Sequence, residues 1–237
     1  MVRSEFTFDG LKSMLEEVLN NGYRVITCRD YIDWKKEKKK EKIFVNRVDI
    51  ETSCKRSKIL AEVFNSLNIK ASFFVRLHAE EYNPFSFENY RCLKYIKETG
   101  HELVYHSEII DQAHIWKEDA KDCLLRDIAV FNSMFNVKID GVASHGGFTG
   151  LNNLDFWKDK KPSDFGLLYE AYDKQPDFNL FYESIYVSES NIRWKCYDKG
   201  VLMEGVSKTI AEHAKDGHPI IYSLIHPEYF FYNHIYE

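Results

Sequence analysis

The stretch Ile43-Phe-Val-Asn-Arg-Val-Asp-Ile-Glu51 decides how the chain is read. Its β-branched and aromatic residues predict a strand. That strand ends in two carboxylates, Asp49 and Glu51, one residue apart. Residues i and i+2 of a strand share a face, so the two carboxylates are expected side by side. Like charges at that spacing repel, and one pKa rises unless a cation lies between them. A metal ion, or a general base beside one, resolves the conflict. A solvated strand end, where acidic residues are common, has the same appearance, and the stretch alone leaves both readings open.

Working outward, Phe8, Leu11, Leu15, Val18 and Leu19 have helical spacing and run into Asn20-Asn21-Gly22, a helix stop. Tyr23 to Thr27 reads as a short strand and Arg29 to Trp34 as a short helix. The lysine-rich run from Lys35 to Lys42 reads as a solvated loop or helix end rather than a phosphate or membrane patch. After Glu51, Thr52-Ser53 is a natural N-cap for a helix carrying Ile59, Leu60, Val63, Phe64 and Leu67. Ala71 to Val75 is then a strand, which makes a strand–helix–strand unit and predicts a parallel sheet.

The same alternation continues. Ser86 caps a helix closed by Gly100, and His101 to His106 is a strand. An amphipathic helix carries Ala120, Leu124, Ile128, Phe131 and Phe135. Further strands are expected at Ile139 to Ala143, Gly166 to Tyr172, Phe181 to Val187 and Pro219 to Ile225, with a helix from Glu204 to Ala214 before the last. Asn152 to Asp164 reads as a loop or short helix. No linker interrupts the pattern, so residues 1–237 read as one domain, with 1–42 a helical and strand lead-in.

Composition narrows the function classes. Apolar residues make up 44% and charged residues 29%, the balance of a globular α/β domain. The net charge of −5 argues against non-specific nucleic-acid binding. Cys28, Cys54, Cys92, Cys123 and Cys196 are odd in number and contain no CxxC pair, which predicts reduced thiols and a cytoplasmic location. The first residues show no apolar leader segment, and no apolar run is long enough to span a membrane.

Several predicted strands end on a residue capable of chemistry: Asp49 and Glu51, His106, His145 and His226. In parallel α/β folds the C-terminal strand ends share a face, where active sites sit. One such histidine is more often structural than a ligand; three beside two carboxylates are harder to dismiss. R-V-D-I-E (Arg47 to Glu51), I-K-A-S-F-F-V (Ile69 to Val75), G-H-E-L-V-Y-H-S (Gly100 to Ser107), S-H-G (Ser144 to Gly146) and L-I-H-P (Leu224 to Pro227) occur in that order. In this ordered set the chain resembles a divergent member of the polysaccharide deacetylase family, the NodB homology group of carbohydrate esterases.

The resemblance implies a distorted (β/α) barrel, a divalent metal, usually Zn²⁺, and hydrolysis of an N-acetyl group from an amino sugar. It puts the general base on Asp49 and the general acid on His226. It puts metal ligands on Glu51 and His106. The sequence departs from the family where a second histidine ligand should stand, reading His106-Ser-Glu-Ile-Ile110. Glu108, Asp111 and His145 are the candidates to complete the shell. The metal aspartate is replaced by the longer Glu51. Substrate contacts are expected from Arg47, Ser144, Gly146, Glu189, Arg193 and Trp194, with Glu189, Arg193 and Trp194 also placed to orient His226.

The expected activity is therefore a metal-dependent deacetylase acting on a carbohydrate in surface-polysaccharide, O-antigen or capsule synthesis, on a nucleotide- or lipid-linked sugar. Two other readings stand beside it: a catalytically decayed scaffold that binds carbohydrate, and a hydrolase of another non-peptide C–N bond. A general base adds rate rather than packing, so Asp49→Asn is expected to spare the fold.

Overall fold

The computed structural model of the protein describes residues 4–233; the first three residues and residues 234–237, the ends of the 1–237 span, lie outside them. The chain enters through α1 (Phe8–Asn20), β1 (Arg24–Ile26) and α2 (Cys28–Lys36). β2 (Ile43–Ile50), α3 (Cys54–Ser66), β3 (Ser72–Val75), α4 (Phe87–Glu98) and β4 (Glu102–Ser107) follow. Next come α5 (Ile109–Trp116), α6 (Ala120–Phe135), β5 (Gly141–Ser144) and β6 (Tyr169–Glu170). The chain continues with α7 (Leu180–Glu183), β7 (Ile185–Glu189), β8 (Trp194–Asp198), β9 (Val201–Leu202), α8 (Ile210–Asp216) and β10 (Ile220–Ile225).

Local chemistry explains the boundaries. Thr7, Ser53 and Ser86 each accept a backbone N–H in the first turn of α1, α3 and α4. Thr27 and Asp30 form a reciprocal capping box at α2, and Thr209 and Glu212 form another at α8. The lysine run beyond α2 is exposed, as a solvated loop should be.

The strands form one α/β sheet in the order β6-β5-β4-β3-β2-β10-β7-β8-β9, with β1 also beside β2. Pairings are parallel except for β7-β8 and β8-β9. All eight residues of β2 are buried, because the sheet is covered on both faces. Phe44, Val48, Phe73, Tyr105, Val142, Val187 and Ile221 pack outward against the helices. Val45, Phe74, Val104, Ala143, Tyr186, Tyr222 and Leu224 form a second, inner cluster.

The sheet curls around that inner cluster. Tyr172, just after β6, contacts Tyr186 of β7 hydroxyl to hydroxyl at 3.2 Å, and the Tyr222 hydroxyl of β10 donates to Ala171 O at 3.5 Å. These contacts bridge strands far apart in the sheet order. Among the described residues β6 and β7 do not pair, so the ladder stays open at that seam.

Several elements differ from the sequence reading. Residues 109–116 are helical, whereas only a motif was read there. Phe181 to Glu183 belong to α7, not a strand; strand conformation starts at Ile185. The helix expected from Glu204 starts at Ile210, after the Thr209 cap. The strand expected over Gly166 to Tyr172 shrinks to Tyr169–Glu170. Residues 194–202, to which the sequence reading assigned no element, form the hairpin β8-β9.

Candidate metal and acid–base centre

Strand ends bring the predicted groups together. Asp49 lies near the end of β2, Glu51 just past it, His106 near the end of β4, and Glu108 at the N-cap of α5. His145 follows β5, Glu189 ends β7 and His226 follows β10. All are C-terminal ends of parallel strands, the face where α/β folds gather chemistry. Tyr82 fixes the two central ends together: its hydroxyl donates to Ile50 O at 3.0 Å and accepts from the Arg76 backbone N–H at 2.9 Å.

His106 is the pivot. Its Nδ1 donates to Ala143 O at 2.9 Å, since a carbonyl can only accept. In the neutral ring, Nε2 is then a lone pair. That lone pair faces Asp49 Oδ2 and Glu51 Oε1, each at 3.2 Å. Ligand atoms of Asp49, Glu51 and His106 all lie within 4.8 Å of one another. Three acceptors converging on one point need a proton or a cation among them. The donor set, one imidazole and two carboxylates, suits a divalent ion of borderline character such as zinc. The residues present therefore fit the implied metal.

Asp49 is buried and held from below by Arg47, whose Nε and Nη2 donate to Oδ1 and Oδ2 at 2.8 and 2.7 Å. Arg47 is fully buried, sandwiched between the Phe74 and Tyr172 rings at 4.9 and 4.7 Å. Burial would raise the Asp49 pKa, but the guanidinium outweighs it, with His106 and His226 adding in the same direction, and holds the carboxyl below its usual range. Arg47, expected at the substrate, is instead a support beneath Asp49.

Glu51 accepts from Arg76 Nη1 at 3.3 Å and lies 3.0 Å from His145 Nε2. Burial opposes its ionisation; protons on the His106 and His145 nitrogens that face it outweigh that and keep it well below the ordinary carboxylate range. Glu108 accepts from Arg76 Nε and Nη2 at 3.1 and 2.8 Å. His145 Nδ1 lies 3.1 Å from Glu108 Oε1 but off the hydrogen-bond axis, leaving Nδ1 without a hydrogen-bond partner. Burial disfavours the charged form of His145, yet Glu108 and Glu51 raise its pKa to about 9.

His226 belongs to a second buried pair. Its backbone N–H and its Nδ1 both meet Glu189 Oε1, at 2.5 and 2.8 Å. Glu189 is fully buried. Burial works against the His226 proton, but the Glu189 carboxylate outweighs it and pushes the pKa to about 10. With Nδ1 tied to Glu189, Nε2 is the free end. Nearby Glu228 is pushed up to about 7, chiefly by burial.

The buried charges do not cancel. Asp49, Glu51, Glu108 and Glu189 are four carboxylates, matched by the two guanidiniums of Arg47 and Arg76. The two remaining negative charges are balanced either by protons on His145 and His226 or by one divalent cation beside Glu51 and His106.

Other predicted residues fall elsewhere. Trp194 is 2% exposed and stacked on Phe6 at 5.5 Å, a core position that leaves no face open to substrate. Arg193 is exposed in the β7-β8 turn. Glu189 contacts His226 but is too buried to line a pocket. Ser144 is buried and Gly146 exposed beside His145. Asp111 is committed to the loop that carries His145: it accepts from the backbone N–H groups of Phe148 and Thr149 at 3.3 and 3.1 Å and from Asn153 Nδ2 at 2.7 Å. It is a loop anchor rather than a free ligand.

Arg76 is the main residue that the sequence reading missed. A charged residue directly after the strand Ser72–Val75 was the available signal. Glu170 was missed as well; it fixes the end of β5 by accepting from Ser144 N at 2.9 Å. A cleft of about 320 Å³ opens over the centre, lined by Glu51, Arg76, His78, Glu80, Glu81, His145 and Phe148. A larger apolar depression lined by Phe85, Ala129, Val130 and Met134 shares none of these residues. All five cysteines are free and buried, and burial pushes the Cys28 and Cys54 thiols up to about 12, which leaves neither as a nucleophile.

No family model matches the chain, and neither a curated protein nor a solved structure matches it. No helix among the described residues is long and apolar enough to cross a membrane.

Proposed function

We propose that the protein is a metal-dependent hydrolase that removes an N-acetyl or similar acyl group from an amino sugar, built on a distorted barrel of the NodB type. The observation that carries this reading is the convergence of Asp49, Glu51 and the His106 Nε2 lone pair at the strand ends, with the His106 tautomer set by Ala143 O. Glu51 and His106 would hold the ion, with Asp49 as the third group of the set. When bound, such an ion supplies a Lewis-acidic centre that polarises an amide carbonyl and lowers the pKa of water.

The chain's own residues supply the proton transfers. Asp49 stays ionised beside Arg47 and takes a proton from the attacking water at Oδ2, the oxygen that faces His106. His226 carries its proton on Nε2 at neutral pH because Glu189 holds it in the imidazolium form, and it donates that proton to the departing amine nitrogen. Arg47 and Glu189 act through these two groups: one keeps the base charged, the other keeps the acid loaded. The cleft beside Glu51 and His145 is near the small end of the range for ligand sites, which fits a single sugar ring.

A second reading has its own support. Arg76 donates to both Glu51 and Glu108, so a guanidinium already neutralises carboxylates that would otherwise be offered to an ion. On that reading the scaffold binds carbohydrate without turnover. Acetate release separates the two. Supplied with Zn²⁺, the protein should release acetate from at least one free, nucleotide-linked or lipid-linked N-acetylated amino sugar. Asp49→Asn and His226→Asn should each slow that release by roughly 10² or more. Binding of such a sugar with no release under any metal supports the non-catalytic reading.

A further inference from the structure

A second group of ligands lies at the other end of the sheet. His213 and Asp216 stand on the last turn of α8, and His218 follows Gly217, whose φ of +81° turns the chain back toward the helix end. His213, Asp216 and His218 offer ligand atoms that all lie within 4.8 Å of one another. Asp216 Oδ2 is 4.0 Å from His213 Nδ1 and 3.7 Å from His218 Nε2. The two imidazole rings are 5.4 Å apart, centroid to centroid.

His213 makes this group more than a surface cluster. It is 1% exposed, and its Nδ1 has no hydrogen-bond partner. The other ring nitrogen explains why. Cys196 Sγ donates to Lys208 O at 3.4 Å, which uses the thiol proton. His213 Nε2, 3.2 Å from that sulfur, must then be the donor, and the ring proton sits on Nε2. Nδ1 is left as a buried lone pair aimed at Asp216. A buried acceptor without a donor is costly, and a carboxylate cannot supply the donor. A cation can.

We infer that His213, Asp216 and His218 form a binding site for one divalent transition-metal ion, separate from the strand-end centre. Two imidazoles and one carboxylate on a compact turn suit zinc, nickel, cobalt or copper rather than calcium or magnesium. A tetrahedral zinc with ligands at about 2.0–2.1 Å holds its ligand atoms roughly 3.3–3.4 Å apart. The two distances above, 4.0 and 3.7 Å, need contractions of about 0.3–0.7 Å to reach that spacing. The negative end of the α8 backbone dipole lies at the same place and favours a cation.

The site is remote from the proposed chemistry. Pro219 alone separates His218 from the start of β10, and His226 follows the strand directly. Eight residues of extended chain put about 26 Å between them at ~3.3 Å per residue. The ion therefore acts as a clasp between the end of α8 and the start of β10. Lys208 Nζ, 2.8 Å from Asp216 Oδ2 and half exposed, competes for the same carboxylate.

The test is calorimetric titration of the untagged, chelator-treated chain with Zn²⁺. His218→Ala and Asp216→Asn change exposed or half-exposed residues, so neither disturbs the core. Each should lose one equivalent of tightly bound Zn²⁺ relative to the wild type, or weaken that equivalent by about 10–100-fold or more. The subtraction holds whether or not the strand-end centre also binds, since wild type then holds two equivalents or one. Lys208→Met should tighten the same equivalent by about 2- to 5-fold, the scale of an exposed ion pair. Unchanged stoichiometry and affinity in both ligand variants, or no wild-type binding tighter than about millimolar, overturns the inference.

Discussion

Replacing Glu189 by Gln tests the acid half of the mechanism without any substrate. Gln keeps the shape, and its amide oxygen can still accept the His226 backbone N–H that Glu189 accepts at 2.5 Å. What disappears is the negative charge 2.8 Å from Nδ1. In the native pair that charge outweighs burial and lifts His226 from 6.5 to about 10. Without it burial remains, and burial favours the neutral ring. The charges of Asp49 and Glu228 still favour the proton, so the His226 pKa should fall toward 6.5, by up to about three units. At 1.36 kcal/mol per unit, that is up to roughly 4 kcal/mol of preference for imidazolium. The assay is an NMR titration of the histidine Cε1–H signals, with His226 assigned by its absence in His226→Asn. In the Gln variant the basic limb of the pH–rate profile should move down by the same amount. A His226 that still titrates above pH 8 in Glu189→Gln would refute the claim that Glu189 keeps the acid loaded.

Three further outcomes follow from the geometry. Asp49→Asn should lower stability as well as turnover, contrary to what the sequence alone suggests. It leaves the fully buried Arg47 guanidinium without its counter-charge, at a cost of about 3–5 kcal/mol in urea unfolding; an unchanged unfolding midpoint contradicts this. Gly147→Ala should disrupt the loop that carries His145, because the new Cβ would stand 1.6 Å from Leu151 O. Activity should drop while most of the sheet stays folded by circular dichroism, and a fully active variant argues against a role for that loop. The metal-free chain should lose stability as pH rises from neutrality. The folded pKa values of His145 and His226 are raised to about 9 and 10. Their stabilisation is complete below the unfolded value near 6.5 and fades as pH climbs through 9–10. Urea midpoints at pH 7 and pH 10 read it directly, and a midpoint that rises between them contradicts it.

Much of the fold was legible because its signals are local. Ser53 before Cys54, Ser86 before Phe87 and the apolar run of β2 each mark an element through chemistry within a few residues. The proximity of Asp49 and Glu51 was legible from strand periodicity, and both do reach the same His106 nitrogen. What escaped depends on partners distant in sequence. Arg76 looks like any charged residue after a strand until Glu51 and Glu108, from two other strand ends, close around it. Arg47 was expected at the substrate but is buried beneath the site. Its place is explained by Asp49 and the rings of Phe74 and Tyr172. α7 was misread because Leu180-Phe-Tyr is as apolar as a strand and four residues carry no helical period. The β8-β9 hairpin did leave a trace in the sequence, the apolar–polar alternation of Trp194, Lys195 and Cys196.

The central claim is that a divalent ion sits between Glu51 and His106, and Zn²⁺ titration of the chelator-treated chain tests it most directly. Carrying His218→Ala in every sample removes the site at the end of α8 from the count. On that background one equivalent should bind. His106→Ala should abolish it or weaken it by at least about 10–100-fold, and Glu51→Gln should do the same. Zn²⁺ binding no tighter than about millimolar, or binding that neither substitution weakens, would contradict the metal-centre account and leave the non-catalytic reading in its place.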